Sequence, residues 1–255
     1  MASVVRYGRV KVSGSEKWAR LDGETAHLLD AAPWNGGRET GETTKAAALA
    51  CPVAPATIFG IGKNYRAHAA EMKGAVPSEP LVFTKTITSL VGPDGTVVLP
   101  KEGGRIDYEA ELGVVIGKTC RRVPVERALD YVFGYTALCD VTARAFQDKD
   151  GQWTRAKGFD TFCPVGPVVV TGIAPGDLAI SLRQNGELRQ DATTADMVFD
   201  VARLVSHLSS FATLSPGDLI ATGTPEGVGP LAHGDRVAIS IAGIGELGFG
   251  VAREE

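Results

Sequence analysis

The two glutamates that flank Ala110 are the residues of this sequence most suited to chemistry. They belong to the run D-Y-E-A-E-L-G-V-V-I-G, which predicts a strand over Tyr108–Gly117. Alternate side chains of a strand share a face, so Glu109 and Glu111 would point the same way, about 6.6 Å apart. A hard cation such as Mg²⁺, Mn²⁺ or Ca²⁺ between them would relieve the repulsion of their charges. The alternative is a solvated strand face with two exposed glutamates.

A third carboxylate, Asp140, ends the apolar run before it. The pattern predicts a strand over Val132–Asp140, and a carboxylate at the end of a buried strand is well placed to line a site. Arg144 follows four residues later and would share a face with Asp140 if the chain turns helical there. The alternative is that Asp140 caps the N-terminus of such a helix.

Two further segments suit an anionic substrate. Lys157, in W-T-R-A-K-G-F-D-T-F, would present an ammonium group, unless it is an ordinary surface lysine. In A-T-G-T-P-E-G-V-G, residues 221–229, a strand runs into a Gly-rich turn whose N–H groups and hydroxyl would cradle a carboxylate. The alternative is a plain strand-ending turn, and the phosphate-loop pattern is absent from the sequence.

His68 and Glu71 are the candidates for acid–base chemistry. They are three residues apart and become neighbours on a helix, where a glutamate would orient the imidazole as a general base. The alternative is a surface ion pair. The segment Tyr65–Gly74 is short and polar, and with Gly60 and Gly62 as hinges it predicts a mobile lid.

Composition narrows the class of protein. The chain has 255 residues, of which 44% are hydrophobic and 22% charged, with a net charge of -4. Basic residues form no stripe, which excludes non-specific nucleic-acid binding. The most apolar stretch, 46–62, is interrupted by prolines and predicts buried core instead of a membrane span. Four widely spaced cysteines are typical of free thiols in a reducing compartment, so we expect a soluble cytoplasmic enzyme.

Most of the chain is predicted to form strands with few helices. We interpret residues 1–55 as a small N-terminal β unit and residues 56–255 as the catalytic domain. The predicted strands are Ser3–Val12, Lys17–Leu21, Thr57–Gly62, Pro80–Thr86, Thr96–Leu99, Tyr108–Gly117, Val132–Asp140, Val165–Val170, Leu178–Gln184, Glu187–Asp191, Asp218–Thr222, Arg236–Ala242 and Glu246–Val251. The predicted helices are Tyr65–Lys73, Val125–Tyr131 and Met197–Ala212.

Taken together, these segments resemble the fumarylacetoacetate hydrolase family. The matching strings are G-x-G-K-N-Y-x-x-H-x-x-E, F-x-K, D-Y-E-x-E-L-G-V-V-I-G-K, G-Y-T-x-x-x-D-x-T-A-R, W-x-R-A-K-G-F-D-T-F-x-P-x-G-P and L-x-P-G-D-x-I-x-T-G-T-P-x-G-V-G. They occur in the family's order over residues 57 to 235. Each string is weakly specific, but the set is highly specific. Cys139 departs from the pattern, because the family usually has Asn before the metal-binding Asp.

The resemblance implies a mainly β (α+β) fold, a mixed β-roll with few peripheral helices after a small N-terminal β unit, and a homodimer. It also implies a role for each matching residue. The family's Mg²⁺ or Mn²⁺ ligands match Glu109, Glu111 and Asp140. Its lysine matches Lys157, its substrate-carboxylate contacts match Arg144, Gln147 and Thr224, and its acid–base pair matches His68 and Glu71.

The expected reaction is hydrolysis of a C–C bond in an acylpyruvate-type oxo-acid such as fumarylpyruvate or acetylpyruvate. The same constellation also fits isomerisation of 2-hydroxyhepta-2,4-diene-1,7-dioate and decarboxylation of oxaloacetate-type acids, because all three pass through enolate chemistry. A non-catalytic, metal-dependent binder is a further alternative. The presence of His68, Glu71 and Lys157 argues against it, since a binder needs no acid–base pair.

Overall fold

A computed structural model describes residues 3–72 and 75–255 and confirms the mainly β fold. Lys73 and Gly74, the ends of the predicted helix and of the predicted lid, lie outside the described residues. Three sheets, of twelve, five and three strands within the described part, are built around one principal core. No helix among these residues is long and apolar enough to cross a membrane.

The N-terminal strands form one end of the largest sheet. The turn between the first two strands passes through Ser13 and Gly14, both at positive φ, as two-residue hairpins require. The strands are β1 (Val5–Val12), β2 (Ser15–Asp22), β3 (Thr25–Leu29), β4 (Glu39–Lys45) and β5 (Leu49–Ala50). The first two confirm predicted strands, whereas β3 to β5 lie in a Gly-, Thr- and Ala-rich region without a clear period.

The remaining strands match every strand predicted beyond residue 55 to within two residues at the ends, apart from the one over 108–117. They are β6 (Ile58–Gly62), β7 (Leu81–Lys85), β8 (Leu90–Val91), β9 (Thr96–Leu99), β10 (Ile106–Tyr108), β11 (Ala110–Ile116), β12 (Val132–Cys139), β13 (Thr142–Ala143), β14 (Cys163–Thr171), β15 (Ala179–Gln184), β16 (Glu187–Thr193), β17 (Leu219–Ala221), β18 (Gly229–Pro230), β19 (Arg236–Ile241) and β20 (Gly245–Arg253).

The largest sheet has the strand order β4-β3-β2-β1-β14-β12-β11-β17-β6-β7, with β5 and β8 at its side. Its centre is covered on both faces, so every residue of β11 is buried. β1 pairs with β14, with Tyr7 opposite Val169. The sheet therefore continues across the predicted boundary at residues 55 and 56, and the division into two domains stays a prediction.

The strand predicted over 108–117 is broken at Glu109. β10, before it, belongs to the three-stranded sheet with β13 and β18, whereas β11, after it, belongs to the largest sheet. The two glutamates therefore do not belong to one continuous strand, although their carboxylates converge as the alternation predicted, with oxygens within 4.8 Å of each other. The chain changes sheets between them, and tertiary contacts at this junction decide where each carboxylate points.

The five-stranded sheet has the order β16-β15-β19-β20-β9. Its hairpin turns through Asn185 and Gly186, both at positive φ, which confirms the two-residue turn predicted from Asn-Gly. Inward residues of this sheet, such as Leu182 and Phe249, join the buried side chains of β11 and β12 in the principal core. This packing brings β16 close to the junction at Glu109.

Helices lie around the sheets. They are α1 (Arg66–Glu71), α2 (Arg144–Asp150), α3 (Thr154–Lys157) and α4 (Val201–Phe211), with 3-10 helices at Pro33–Asn35, Ile87–Ser89, Val125–Tyr131 and Thr194–Asp196. The helix predicted over Val125–Tyr131 is thus present with 3-10 geometry. The predicted helix over 197–212 begins later, at Val201, because the side chain of Asp200 caps the N–H of Arg203. Without an apolar stripe of their own, α2 and α3 were not predicted, although Arg144 does begin a helix.

Candidate active site

Three buried carboxylates meet where β10 joins β11 and where β12 ends. One oxygen of each of Glu109, Glu111 and Asp140 lies within 4.8 Å of those of the other two. The backbone N–H of Asp140 donates to the carbonyl of Glu109 (2.9 Å), which ties the two chain segments together. All three side chains are buried, so the alternative of a solvated glutamate face does not hold. Asp140 is also no helix cap, because α2 begins after Ala143.

Cations of the protein surround this carboxylate cluster. The ammonium of Lys157 lies 2.7 Å from Glu109 Oε2 and 2.6 Å from Asp140 Oδ2. A second buried lysine, Lys85, lies 2.6 Å from Asp140 Oδ1 and also donates to the carbonyl of Lys157. Lys157 is therefore no ordinary surface lysine. Its side chain also lies over the ring of Phe83, 4.9 Å from the centroid.

The three carboxylates differ in how they are neutralised. Burial opposes ionisation of Glu109, but the charges of Lys157 and Arg144 hold the pKa of that carboxyl at about 2. Burial raises the pKa of Glu111 well above its usual range, and the charges of Asp140 and Glu109 raise it further. Within the described residues Glu111 pairs with no cation, and it accepts only the N–H of Gly223, at 2.8 Å. Glu111 is therefore the carboxylate of this cluster whose ionised form a bound cation would favour most.

The donor set therefore fits a hard divalent cation. All three groups offer carboxylate oxygens, which Mg²⁺ and Mn²⁺ prefer, and the cluster contains neither thiolate nor imidazole. The neighbouring Cys139 contributes no charge, because burial raises the pKa of its thiol well above the usual range. These observations suggest a divalent metal site.

Arg144 and Gln147 lie on α2 beside the cluster. The guanidinium of Arg144 places Nε 2.8 Å from Asp107 Oδ2 and Nη2 2.8 Å from Glu109 Oε1. Its Nη1 donates to the side-chain oxygen of Gln147 (2.9 Å). The expected face shared with Asp140 is not what positions Arg144, because its charged partners are Asp107 and Glu109. Asp107, in β10, accepts the Nε bond and so fixes the position of the guanidinium.

The Gly-rich turn after β17 also contacts the cluster. Gly223, at φ 98°, directs its N–H to Glu111, so this part of the expected carboxylate cradle is used within the protein. Thr224 is buried and lines the cavity. Farther along, the N–H of Gly227 donates to Glu71 Oε1 (3.1 Å). One turn therefore contacts both the cluster and the His68–Glu71 pair.

His68 and Glu71 form the predicted pair on α1. Nδ1 of His68 lies 3.1 Å from Glu71 Oε2, and the imidazole is buried in the cavity wall. A carboxylate only accepts hydrogen bonds, so this contact places a proton on Nδ1, and in the neutral imidazole Nε2 is then the acceptor. The segment before α1 is fixed by Asn64, whose side chain bonds the backbone N–H and carbonyl of Phe199.

The glycines predicted as hinges have another role. Gly60 and Gly62 lie within β6, paired with β7. A Cβ at Gly60 would come within 2.2 Å of the Phe83 ring, and one at Gly62 within 2.4 Å of the Trp153 ring. Both positions therefore need glycine to make room for aromatic side chains that flank the site.

All nine site residues predicted from the sequence lie around one place, and most of them line a single cavity of about 160 Å³. Its lining includes the two glutamates, His68, Arg144, Gln147, Lys157 and Thr224. Sequence reasoning assigned no role to Lys85, Asp107 or Gln190, all buried and bonded to site residues. Lys85 and Asp107 fall inside the quoted strings and could have been found there. Gln190 lies outside them all.

Two family models match the chain. The model "Fumarylacetoacetate (FAA) hydrolase C-terminal" matches residues 57–252, and the model "Rv2993c-like, N-terminal" matches residues 5–50. The first model contains all nine predicted site residues.

Similar proteins include both isomerases and hydrolases. The crystal structure of 2-hydroxyhepta-2,4-diene-1,7-dioate isomerase from Mycobacterium marinum is 40% identical, covers 98% of this chain and 99% of that one, and gives a TM-score of 0.91. Fumarylpyruvate hydrolase from Pseudomonas aeruginosa, in complex with Mn²⁺ and pyruvate, is 37% identical over 82% of this chain and 93% of that one, with a TM-score of 0.74. The 2,4-didehydro-3-deoxy-L-rhamnonate hydrolase of Sphingomonas sp. (strain SKA58) is 46% identical over 75% of this chain and 69% of that protein.

Proposed function

The chain belongs to the fumarylacetoacetate hydrolase family, and we propose that it is a divalent-metal-dependent hydrolase that cleaves a C–C bond of acylpyruvate-type oxo-acids. The observation that carries the proposal is one cavity lined by two buried carboxylates together with Arg144, Lys157 and His68. Asp140 and Glu71 lie directly behind this lining, bonded to Lys157 and to His68. A protein that only bound an oxo-acid would need the carboxylates and the cationic side chains, but it would not need the His68–Glu71 pair.

We assign Glu109, Glu111 and Asp140 as ligands of Mg²⁺ or Mn²⁺, supported by their oxygen donors and by the lack of a cationic partner for Glu111 among the described residues. When bound, such an ion supplies Lewis-acid stabilisation of the negative charge that develops on the keto oxygens of an oxo-acid. The similar enzyme from Pseudomonas aeruginosa was crystallised with Mn²⁺ and pyruvate, a divalent cation and a 2-oxo-acid, which supports this assignment.

Arg144, Gln147 and Thr224 are assigned to the carboxylate of the substrate. Arg144 supplies a charged, planar donor that is already held by Asp107 and Gln147, so little side-chain entropy is lost on binding. Thr224, which also lines the cavity, adds a hydroxyl. Together they would orient the oxo-acid with its acyl end toward α1.

His68 acts as the general base in this proposal. Glu71 holds the Nδ1 proton, so Nε2 takes a proton from the water that attacks the distal carbonyl. Lys157 stabilises the negative oxygen formed there. The C–C bond then breaks, the methylene carbon takes a proton, and the products are a carboxylic acid and pyruvate, which accounts for every atom of substrate and water.

Isomerisation is the second candidate, because the isomerase from Mycobacterium marinum is similar over nearly the whole chain. The same base would then move a proton between two carbons of a 2-hydroxy-dienoate instead of activating water. Oxaloacetate-type decarboxylation and metal-dependent binding without catalysis are the remaining outcomes that an assay must separate.

The first test is to incubate the protein with acetylpyruvate and Mg²⁺ and to follow the enol absorbance and pyruvate. We expect metal-dependent loss that EDTA abolishes and that His68→Ala reduces by about 10²–10⁴-fold while metal binding is retained. The matched control is His27→Ala, since His27 also lies beside a glutamate, 3.8 Å from Glu39, but far from the cavity. Full activity of His68→Ala would refute the role of His68. Turnover of the dienoate or of oxaloacetate alone would replace the hydrolase proposal.

We further propose a homodimer in the cytoplasm, as the resemblance and the four free cysteines predict. Light scattering coupled to size-exclusion chromatography tests the assembly directly. A mass of about twice that of the 26.7 kDa chain is expected, and a monomer at micromolar concentration would overturn it.

A further inference from the structure

Gln190 connects the two sides of the site without lining the cavity. It lies in β16, is 1% exposed, and comes from the five-stranded sheet. Its Oε1 accepts the N–H of Ala110 (2.9 Å), the residue between Glu109 and Glu111. Its Nε2 donates to the hydroxyl of Thr224 (2.9 Å) and to the carbonyl of Pro225 (2.8 Å). A weaker contact reaches the carbonyl of Glu226 at 3.4 Å.

The backbone determines which end of this amide faces which partner. The N–H of Ala110 can only donate, so it requires the amide oxygen, and the carbonyl of Pro225 can only accept, so it requires the NH₂ group. In the reverse orientation the NH₂ group would face the N–H of Ala110 and the amide oxygen would face the carbonyl of Pro225. A donor would then face a donor, and an acceptor an acceptor, in a buried site. The hydroxyl of Thr224 must therefore be the acceptor in its bond with Gln190.

This polarity has a consequence for the cavity. A threonine hydroxyl has one proton, and with an oxygen lone pair committed to Gln190 that proton is available to an acceptor. Among residues 3–72 and 75–255, no hydrogen bond uses the Thr224 hydroxyl as a donor. Since Thr224 lines the cavity, its proton can serve a ligand that brings an acceptor, such as a carboxylate.

We propose that Gln190 is a positioning residue that fixes Thr224 as a hydrogen-bond donor to the carboxylate of the substrate. The ligand named here rests on the proposed function, whereas the polarity of Thr224 rests on the contacts of Gln190. Because the same amide holds Ala110, Gln190 also keeps Thr224 at a set distance from the carboxylate cluster.

The test is a double-mutant cycle read by calorimetric titration of pyruvate into the Mn²⁺-loaded protein. Gln190→Met and Thr224→Val should each weaken pyruvate binding by about 10- to 100-fold, the effect of losing one hydrogen bond to a charged group. If Gln190 acts through Thr224, adding Gln190→Met to Thr224→Val should change the affinity by less than about threefold. Mn²⁺ affinity, titrated separately, should stay within about threefold of wild type in each variant.

Gln184→Met is the matched control. Gln184 belongs to the same hairpin and bonds a carbonyl and a carboxylate, Pro230 and Asp235, away from the cavity. It should leave pyruvate affinity unchanged. Should Gln190→Met fail to unfold cooperatively, Gln190→Glu at pH 8 takes its place in the cycle, because the ionised group keeps the bond to Ala110 but can only accept from Thr224.

The outcomes distinguish failure of the role proposed for Gln190 from failure of the proposed function. If the Gln190 substitution lowers pyruvate affinity equally in the wild-type and Thr224→Val backgrounds, the role of Gln190 is overturned and the proposed function is left intact. Wild-type protein that binds Mn²⁺ but no pyruvate would overturn the proposed substrate class, and with it the ligand assigned to Thr224. In the acetylpyruvate assay a raised KM with little change in kcat supports the proposal, since the lost bond serves substrate and transition state alike.

Discussion

The carboxylate cluster and the His68–Glu71 pair face the same cavity, but they are held in different ways. The cluster sits on strands and junctions at the centre of the molecule, and Asp140 alone contacts two buried lysines. The pair sits on α1, a helix of six residues. A helix this short has little stability of its own, so its position depends on contacts at its ends, at Asn64 and at Glu71.

This difference predicts how the two regions respond to change. The cluster is part of the core, so altering it should affect metal affinity, stability and activity together. The pair is attached at the edge of the cavity, and the side chain of Glu71 is 34% exposed. Altering it should affect catalysis and leave the metal site and the fold intact. Asp140→Asn and Glu71→Gln test this separation directly.

Asp140→Asn should have the largest effect. The substitution removes one of the proposed metal ligands and leaves the ammonium groups of Lys85 and Lys157 buried without their shared partner. Breaking a buried ion pair from one side costs about 3–5 kcal/mol, so we expect lower stability in urea, no measurable metal binding by calorimetry and no activity. Asp130→Asn, at an exposed pair with Arg127, is the control and should change none of the three. Intact metal affinity in Asp140→Asn would exclude Asp140 as a ligand.

Glu71→Gln should reduce catalysis alone. The single oxygen of the new amide can accept the N–H of Gly227 or that of His68, but not both. If it accepts from Gly227, its NH₂ faces Nδ1 and forces the proton of His68 onto Nε2, the wrong tautomer for a base. We expect kcat to fall by about 10²–10⁴-fold with metal affinity unchanged. Glu39→Gln, beside His27, is the control. A parallel loss of metal affinity would contradict the separation of the two regions.

Gly62→Ala tests the cavity wall between the carboxylate cluster and the His68–Glu71 pair. A Cβ there would lie 2.4 Å from the ring of Trp153, so the ring must move and the cavity must change shape. Overpacking of this kind costs about 1–3 kcal/mol, and we expect a lower melting temperature with a raised KM. Gly176→Ala is the control, since a Cβ at Gly176 would meet nothing within 4 Å. A Gly62→Ala protein with wild-type stability and KM would show that Trp153 adapts freely.

Asp235→Asn should have the smallest effect, on stability alone. Burial raises the pKa of Asp235, but bonds from Asn185, Gln184 and the N–H of Ala232 outweigh it and lower the pKa below the usual range. A lowered folded-state pKa stabilises the protein above the unfolded value of about 3.9, and the contribution disappears as the pH falls through the folded value. We expect the variant to be about 1 kcal/mol less stable than wild type at pH 7 and the difference to shrink toward pH 3, by urea unfolding. A difference independent of pH would assign the effect to shape instead of charge.

Much of the fold was predictable because strand periodicity and turn residues act locally. The hairpin at Asn185-Gly186 and the strands from Ile58 to Val251 follow from patterns of a few residues. The break at Glu109 could not be found in this way. The run around it has an unbroken strand pattern, and the chain changes sheets there because β10 and β11 pair with different partners.

The sequence by itself determined which residues offer chemistry: three carboxylates, a lysine, an arginine and a His–Glu pair at helical spacing, in an order that resembles a known family. Only the tertiary structure decided that Lys85 joins Asp140, 55 residues away, and that Gln190 joins Ala110, 80 residues away. Such contacts leave no local period in a sequence. They arise because burying the carboxylates requires every charge and amide around them to find a partner, wherever in the chain that partner lies.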